Sequence, residues 1–244
     1  MTLILRMDVD VHNASLVKNL LHRRETPSCH YLLGILKLCS DHDVKLLISL
    51  RPNVLPEKSI TDLMIEDGHE ICLHANGLMS ETLMNEKRKL ETHIGRQVKG
   101  LTYHGGGLLE NAVYQVFRRE RYCGHPGTPF QALLAGFEYD ATGYSLIQSE
   151  FPVKMTLGNQ TVWLFPNHIS LDIDGVYPED KINSDLLVTS SCKVFCFHSN
   201  YLWGYGFRKR THQMLLKLFK TIKENRVTTE TCSEVLAKSS RILK

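Results

Sequence analysis

Short apolar runs of strand character alternate with helical patterns through the first half of this chain, and most of the runs close on polar residues. Thr2 to Val9 reads as a strand, Leu32 to Cys39 lies in a helical apolar pattern, and Val44 to Leu50 is a short buried strand closed by Arg51-Pro52-Asn53. Glu57 to Glu66 reads as a helix ending at Asp67-Gly68, and His69 to His74 as a third strand. Ser80 then opens a long charged helix to about Ile94, with Gly95 as its stop signal. Val98 to His104 is a fourth strand, ended by Gly105-Gly106-Gly107. This β-α-β-α order calls for parallel strands, because a parallel neighbour is reached through a crossover and not through a tight hairpin. A barrel of parallel strands is the leading architecture, and an open doubly wound sheet is the alternative.

The second half is less regular. Thr161 to Phe165 and Lys193 to His198 read as strands, Phe207 to Asn225 as an amphipathic helix, Arg226 to Thr229 as a last strand, and Cys232 to Ser239 as a closing helix. Neither an internal repeat nor a low-complexity linker interrupts the pattern, so residues 1–244 are expected to form a single domain. At that length a chain buries well over half of its unfolded surface and needs no disulfide or structural metal for a core.

Composition removes several function classes. Hydrophobic residues at 43% and charged residues at 23% are an ordinary globular balance, which excludes a disordered or collagen-like chain. The formal net charge is only +3, and the one tight basic cluster, Arg208-Lys209-Arg210, reads as a solvated helix face without interleaved aromatics. Nucleic acid is therefore not expected as a partner. The 7 cysteines are an odd set, and the close pair Cys192 and Cys196 sits in an apolar run that favours packing over zinc. No apolar stretch approaches a membrane span, and the opening residues enter a strand without signal-peptide architecture. A reduced, cytoplasmic setting is the expectation.

The strand ends carry most of the chemistry. The first strand ends Asp8-Val9-Asp10-Val11-His12, the third runs from His69-Glu70 to His74, the fourth ends at His104, and the late strand ends at His198. In parallel α/β folds these carboxyl ends face one common crevice. Asp8, Asp10, His74, His104 and His198 converging there make a credible site for a divalent ion. Taken singly, each has a plainer role. An aspartate after a strand is also an ordinary helix N-cap. His69, following Gly68, reads as a strand start, and His104 and His198 are each compatible with satisfied core histidines. The remaining histidines, His168 among them, read as surface residues. Joint placement at equivalent strand ends is what points to one site. His69-Glu70 with His74 is one residue too long for H-E-x-x-H, and the glycine run lacks the lysine of a phosphate loop. No G-x-S-x-G elbow is present.

Five segments together resemble the NodB-homology polysaccharide deacetylase superfamily: Arg6-Met7-Asp8-Val9-Asp10, Asp67-Gly68-His69-Glu70-Ile71-Cys72-Leu73-His74, Val98 to His104, Gly136 to Thr142, and Phe197-His198-Ser199-Asn200. The resemblance implies a distorted (β/α) barrel of about seven parallel strands holding one divalent ion, with zinc the first expectation. It implies Asp8 as general base, Asp10 as metal aspartate, His74 as first metal histidine and His198 as general acid. Leu78 stands where the family carries its second metal histidine, and His104 stands where an arginine is usual, so His104 is expected to supply the third ligand. Asp140 lies in a segment similar to the family's turn that orients the substrate loop; a structural role is the leading reading and a substrate-binding one the alternative. Asp172 is placed to touch a sugar hydroxyl or to steady the site, with a solvated turn an equal alternative, and Trp203, beside Tyr201 and Tyr205, to form an aromatic wall or a core or lid element.

The implied activity is metal-dependent removal of an acyl group, acetyl first, from an N-acylated amino sugar or related C–N amide. The implied substrate is a small or carrier-linked sugar, and oligomeric state is open. The alternatives are a catalytically retired carbohydrate-binding or scaffold protein and a metal-dependent phosphoesterase.

Overall fold

The fold is described by a computed structural model over residues 2–9, 29–53, 55–77, 79–103, 128–143, 149–165, 168–172, 181–182, 192–199 and 207–242. In chain order the strands are β1 (Thr2–Val9), β2 (Leu46–Leu50), β3 (Glu70–Ala75), β4 (Gly100–Tyr103), β5 (Tyr139–Asp140), β6 (Val153–Leu157), β7 (Gln160–Leu164), β8 (His168–Ser170) and β9 (Cys192–His198). The helices are α1 (Cys29–His42), α2 (Lys58–Glu66), α3 (Ser80–Ile94), α4 (Thr128–Leu134), α5 (Phe207–Glu224) and α6 (Cys232–Ile242).

All nine strands join one sheet in the order β6-β7-β5-β4-β3-β2-β1-β9-β8. Every pairing is parallel except the β6–β7 hairpin. β1 is the centre of the fold: the chain steps outward from it through β2, β3 and β4, then returns to add β9 on its other side.

The sheet is curled into a half-barrel. In a flat sheet, four inter-strand spacings of about 4.8 Å would set the end of β5 about 19 Å from β1. Arg6 of β1 nevertheless donates from Nη1 to the Ala141 carbonyl just past β5, at 2.6 Å. The seam is equally tight, since a Cβ built on Gly143 would lie 2.7 Å from the His168 ring of β8.

The alternation of strand side chains sorts the sequence into two faces. Leu3, Leu5, Met7 and Val9 of β1, with Ile48, Leu50, Leu73, Leu101, Phe195 and Phe197, pack in the larger core beneath the helices. Ile4, Leu47, Cys72, Tyr139, Cys192 and Val194 belong to a second core on the opposite, concave face. Further along the same strands the concave positions turn polar, giving Arg6, Asp8, Ser49, His74 and Thr102, all buried. The lower half of the half-barrel is thus packed and the upper half is chemical.

α6 closes the packed end. Thr231 and Glu234 form a capping box: the Glu234 carboxylate accepts from the Thr231 N–H at 2.9 Å, and the Thr231 hydroxyl from the Glu234 N–H at 3.3 Å. Cys232 and Val235 then insert into the concave core. The Glu70 carboxylate of β3 accepts from the Ser233 backbone N–H at 3.0 Å and from its hydroxyl.

Several expectations are corrected here. Among the described residues the sheet has nine strands where about seven were expected, and one hairpin is antiparallel. The expected strand over Arg226 to Thr229 reduces to a single bridge between Leu3 and Thr229. No described helix is long and apolar enough to cross a membrane.

Candidate functional site

Asp8 and His198 are direct register partners on the adjacent parallel strands β1 and β9, so their side chains rise from the same face at the same height. His198 Nε2 lies 3.9 Å from Asp8 Oδ2. On the far side of the imidazole, Asp172 follows β8 and is itself buried. Its Oδ2 accepts the His198 backbone N–H at 2.6 Å, and its Oδ1 lies 2.9 Å from Nδ1. The carboxylate therefore fixes both the strand end and the ring, and it sets Nδ1 as the donor toward Asp172. Asp172 is thus turned toward His198 and is not a solvated turn residue.

Asp8 is held from below by Arg6, two residues earlier on the same strand face. Arg6 Nε donates to Oδ1 at 2.9 Å and Nη2 to Oδ2 at 2.6 Å, the two-pronged geometry that suits guanidinium and carboxylate. The remaining guanidinium nitrogen, Nη1, donates to the Ala141 carbonyl at 2.6 Å and the Thr142 carbonyl at 3.3 Å, and lies 3.3 Å from His168 Nδ1. Burial works against charge on Asp8, but Arg6, with His74 and His198 behind it, outweighs that penalty and holds the carboxyl well below the usual carboxylate range. The Cys196 thiol, pushed far up by burial, stays protonated and donates to Asp8 Oδ2 at 3.5 Å.

His74 rises from β3 opposite Thr102 of β4, its register partner. Its Nδ1 lies 2.7 Å from the Thr102 hydroxyl, so a metal at this imidazole would be taken by Nε2. The loop beyond it is pinned twice. The Glu86 carboxylate of α3 accepts the Asn76 N–H at 3.1 Å, and Arg51, past β2, donates to Asn76 Oδ1 at 2.6 Å and 3.0 Å.

Asp140 is fully buried at the end of β5. Its Oδ1 accepts the Thr142 N–H at 2.9 Å and the Thr142 hydroxyl at 2.5 Å, while that hydroxyl oxygen accepts the Tyr103 N–H at 3.0 Å. This ties the ends of β4 and β5 together. Asp10, His104 and Trp203 lie outside the described residues, as does Leu78. His69 is buried at the opposite end of β3, where its Nδ1 accepts the Leu46 N–H at 3.0 Å, a structural role.

Three contributors escaped the sequence reading. Arg6 carried a usable signal, being the one basic residue inside an apolar strand and in phase with Asp8. His168 was read as a surface residue, yet it backs Arg6 at the barrel seam; only the sheet's curl reveals that. Thr102 carried no signal, because a hydroxyl in a strand is ordinary.

Among described residues, no three His, Cys, Asp or Glu side chains are arranged so that they could hold a metal ion together. The donor chemistry suits an ion nonetheless. His74 has one ring nitrogen tied to a hydroxyl, the arrangement that orients a histidine ligand.

No family model matches the chain, and no curated protein matches it in sequence. Solved structures do match in fold. A probable polysaccharide deacetylase from Pseudomonas aeruginosa is 14% identical, with 91% of this chain and 85% of that one covered at a TM-score of 0.61. Puue allantoinase is 17% identical, with 91% and 84% covered at a TM-score of 0.61. A family 4 acetyl xylan esterase from Clostridium thermocellum, in complex with a cobalt ion, is 10% identical, with 98% and 92% covered at a TM-score of 0.55. The curled sheet is the distorted (β/α) barrel fold that these solved structures also have.

Proposed function

We propose, with the shared deacetylase fold as premise, that this chain is a metal-dependent hydrolase removing an acyl group, acetyl first, from an N-acylated amino sugar. The observation that carries this reading is the Asp172–His198–Asp8 line, with Arg6 closing its far end. Environments that push neighbouring groups apart in proton affinity assign acid and base roles. Asp8, kept ionised by Arg6, is the proton acceptor. His198, with Nδ1 tied to Asp172, presents Nε2 as the donor.

His74, Asp10 and His104 would hold one divalent ion, zinc first. When bound, that ion polarises the acyl carbonyl and lowers the pKa of water. Asp8 takes the proton of the attacking water as its oxygen adds to the carbonyl carbon. His198 gives a proton to the amine nitrogen as the C–N bond breaks, leaving a free amine and a carboxylate. Asp172 keeps the imidazole oriented through both events. Asp140, holding the turn after β5, shapes the rim where substrate enters, and Trp203 offers a face for the sugar ring.

Metal content per chain, on protein purified without chelator, tests the reading in wild type, His74→Ala and His104→Ala. One equivalent, lost in both variants, with acetate released from N-acetyl amino sugars by wild type and not by Asp8→Asn or His198→Ala, supports it. Two equivalents favour a phosphoesterase. No metal even after zinc is added back, with sugar still bound, makes the chain a binding protein.

A further inference from the structure

We propose that Thr102 is the positioning residue for His74, accepting the Nδ1 proton so that Nε2 carries the lone pair a metal needs. The inference rests on the reading of His74 as a ligand. It goes further, naming the residue that fixes the histidine's tautomer.

The contact is built into the sheet. His74 and Thr102 are register partners on adjacent parallel strands, and their side chains rise together on the concave face. His74 is 2% exposed and Thr102 0%, so bulk water does not compete for the 2.7 Å contact between Nδ1 and Oγ1. Thr102 is β-branched and stiff at χ1, which holds the hydroxyl where the strand puts it. A neutral imidazole carries one ring proton. With that proton on Nδ1 and donated to Oγ1, Nε2 is an acceptor and able to ligate. With it on Nε2, the ligand is blocked. The Oγ1 acceptor favours the proton on Nδ1, so removing the hydroxyl moves the ring toward the blocked tautomer. Partners of this kind typically change metal affinity about 10–100-fold.

The hydroxyl also differs from the carboxylate that often backs a ligating histidine. It sets direction without adding another carboxylate to the buried concave face that already holds Asp8.

The test uses zinc alone, titrated by calorimetry into the full chain as wild type, Thr102→Val and Thr102→Ser, with ¹⁵N NMR of the His74 ring in metal-free protein. Thr102→Val, or Thr102→Ala if Val does not fold, is expected to lose about 10–100-fold in zinc affinity and to shift His74 toward the Nε2–H form. Thr102→Ser is expected to restore both. Wild-type affinity and an unchanged tautomer in Thr102→Val would overturn the proposal. A wild type that binds no zinc sinks the ligand reading instead. The Nδ1–H signal, present in wild type and lost in Thr102→Val, then still upholds the Thr102 contact, and its absence from wild type overturns it.

Discussion

Arg6 and Asp8 meet as a buried two-pronged ion pair between residues only two apart on one strand, at 2.9 Å and 2.6 Å. The period of a strand puts both on the concave face, one step below the other. Neither is a spectator of the fold: Arg6 also donates across the curl to Ala141, so one side chain links the site to the barrel seam.

That pairing predicts strongly coupled energetics. Arg6→Met leaves the Asp8 charge buried without its main partner, which costs about 3–5 kcal/mol in comparable cases. Arg6→Met with Asp8→Asn removes both charges and is expected to recover a large part of that loss. Urea unfolding at pH 7 of the two single variants and the double checks this. Strictly additive losses would show that the pair is not coupled.

Asp172 predicts a catalytic dependence of the same kind. Asp172→Asn keeps the size of the side chain but sets an NH2 against one of the two His198 N–H groups, and the imidazolium loses its counter-charge. Release of acetate from an N-acetyl amino sugar is expected to fall about 10²–10⁴-fold, the usual worth of a placed acid or base. Groups acting as a unit are not additive. Asp172→Asn combined with His198→Ala should therefore be no slower than His198→Ala alone, and a further large drop would place Asp172 on a separate task.

Much of this was legible beforehand, and the exceptions have physical reasons. The concave residues Asp8, His74 and His198 were readable because they end apolar runs, and α3 stops at Gly95, whose φ of +70° is the left-handed cap that glycine favours. β5 and β8, with 2 and 3 residues, are too short to show a period, and they were missed. β6 hid for a different reason: it is the outer strand of a hairpin at the sheet's end, and its mostly exposed side chains gave no apolar run to find. The role of Asp172 was left open because sequence could not show that β8 lies against β9, which is what delivers its carboxylate to His198.

His168 predicts acid sensitivity. Burial, reinforced by the positive Arg6, brings its imidazole down from the ordinary 6.5 to about 3. In the unfolded chain it takes up a proton below about 6.5, but in the folded chain only near 3. Its contribution to stability is therefore complete above about pH 6.5 and is lost as pH falls toward 3, at no more than about 1.4 kcal/mol per pH unit. His69, shifted down by burial, acts in the same direction. Urea midpoints at pH 7, 6 and 5 should fall for wild type and fall less for His168→Gln. Equal slopes would mean that His168 is not buried neutral.

The barrel seam can be tested through glycine. Gly143 has a φ of +88°, and a Cβ there would lie 2.7 Å from the His168 ring, which in turn backs Arg6. Gly143→Ala therefore meets two penalties: about 1–2 kcal/mol for an L-residue in the left-handed region, and about 1–3 kcal/mol for overpacking a fitted contact. Gly95 isolates the first, because its φ is +70° but nothing lies within 4 Å of the added methyl. Gly95→Ala should cost only the backbone penalty, with zinc binding unchanged. Gly143→Ala should cost measurably more in thermal or urea unfolding, and adding His168→Ala should relieve the excess by opening the space. If Gly143→Ala and Gly95→Ala cost the same, the end of β5 does not press on β8, and the curl that carries Arg6 to Ala141 is looser than the contacts at this seam imply.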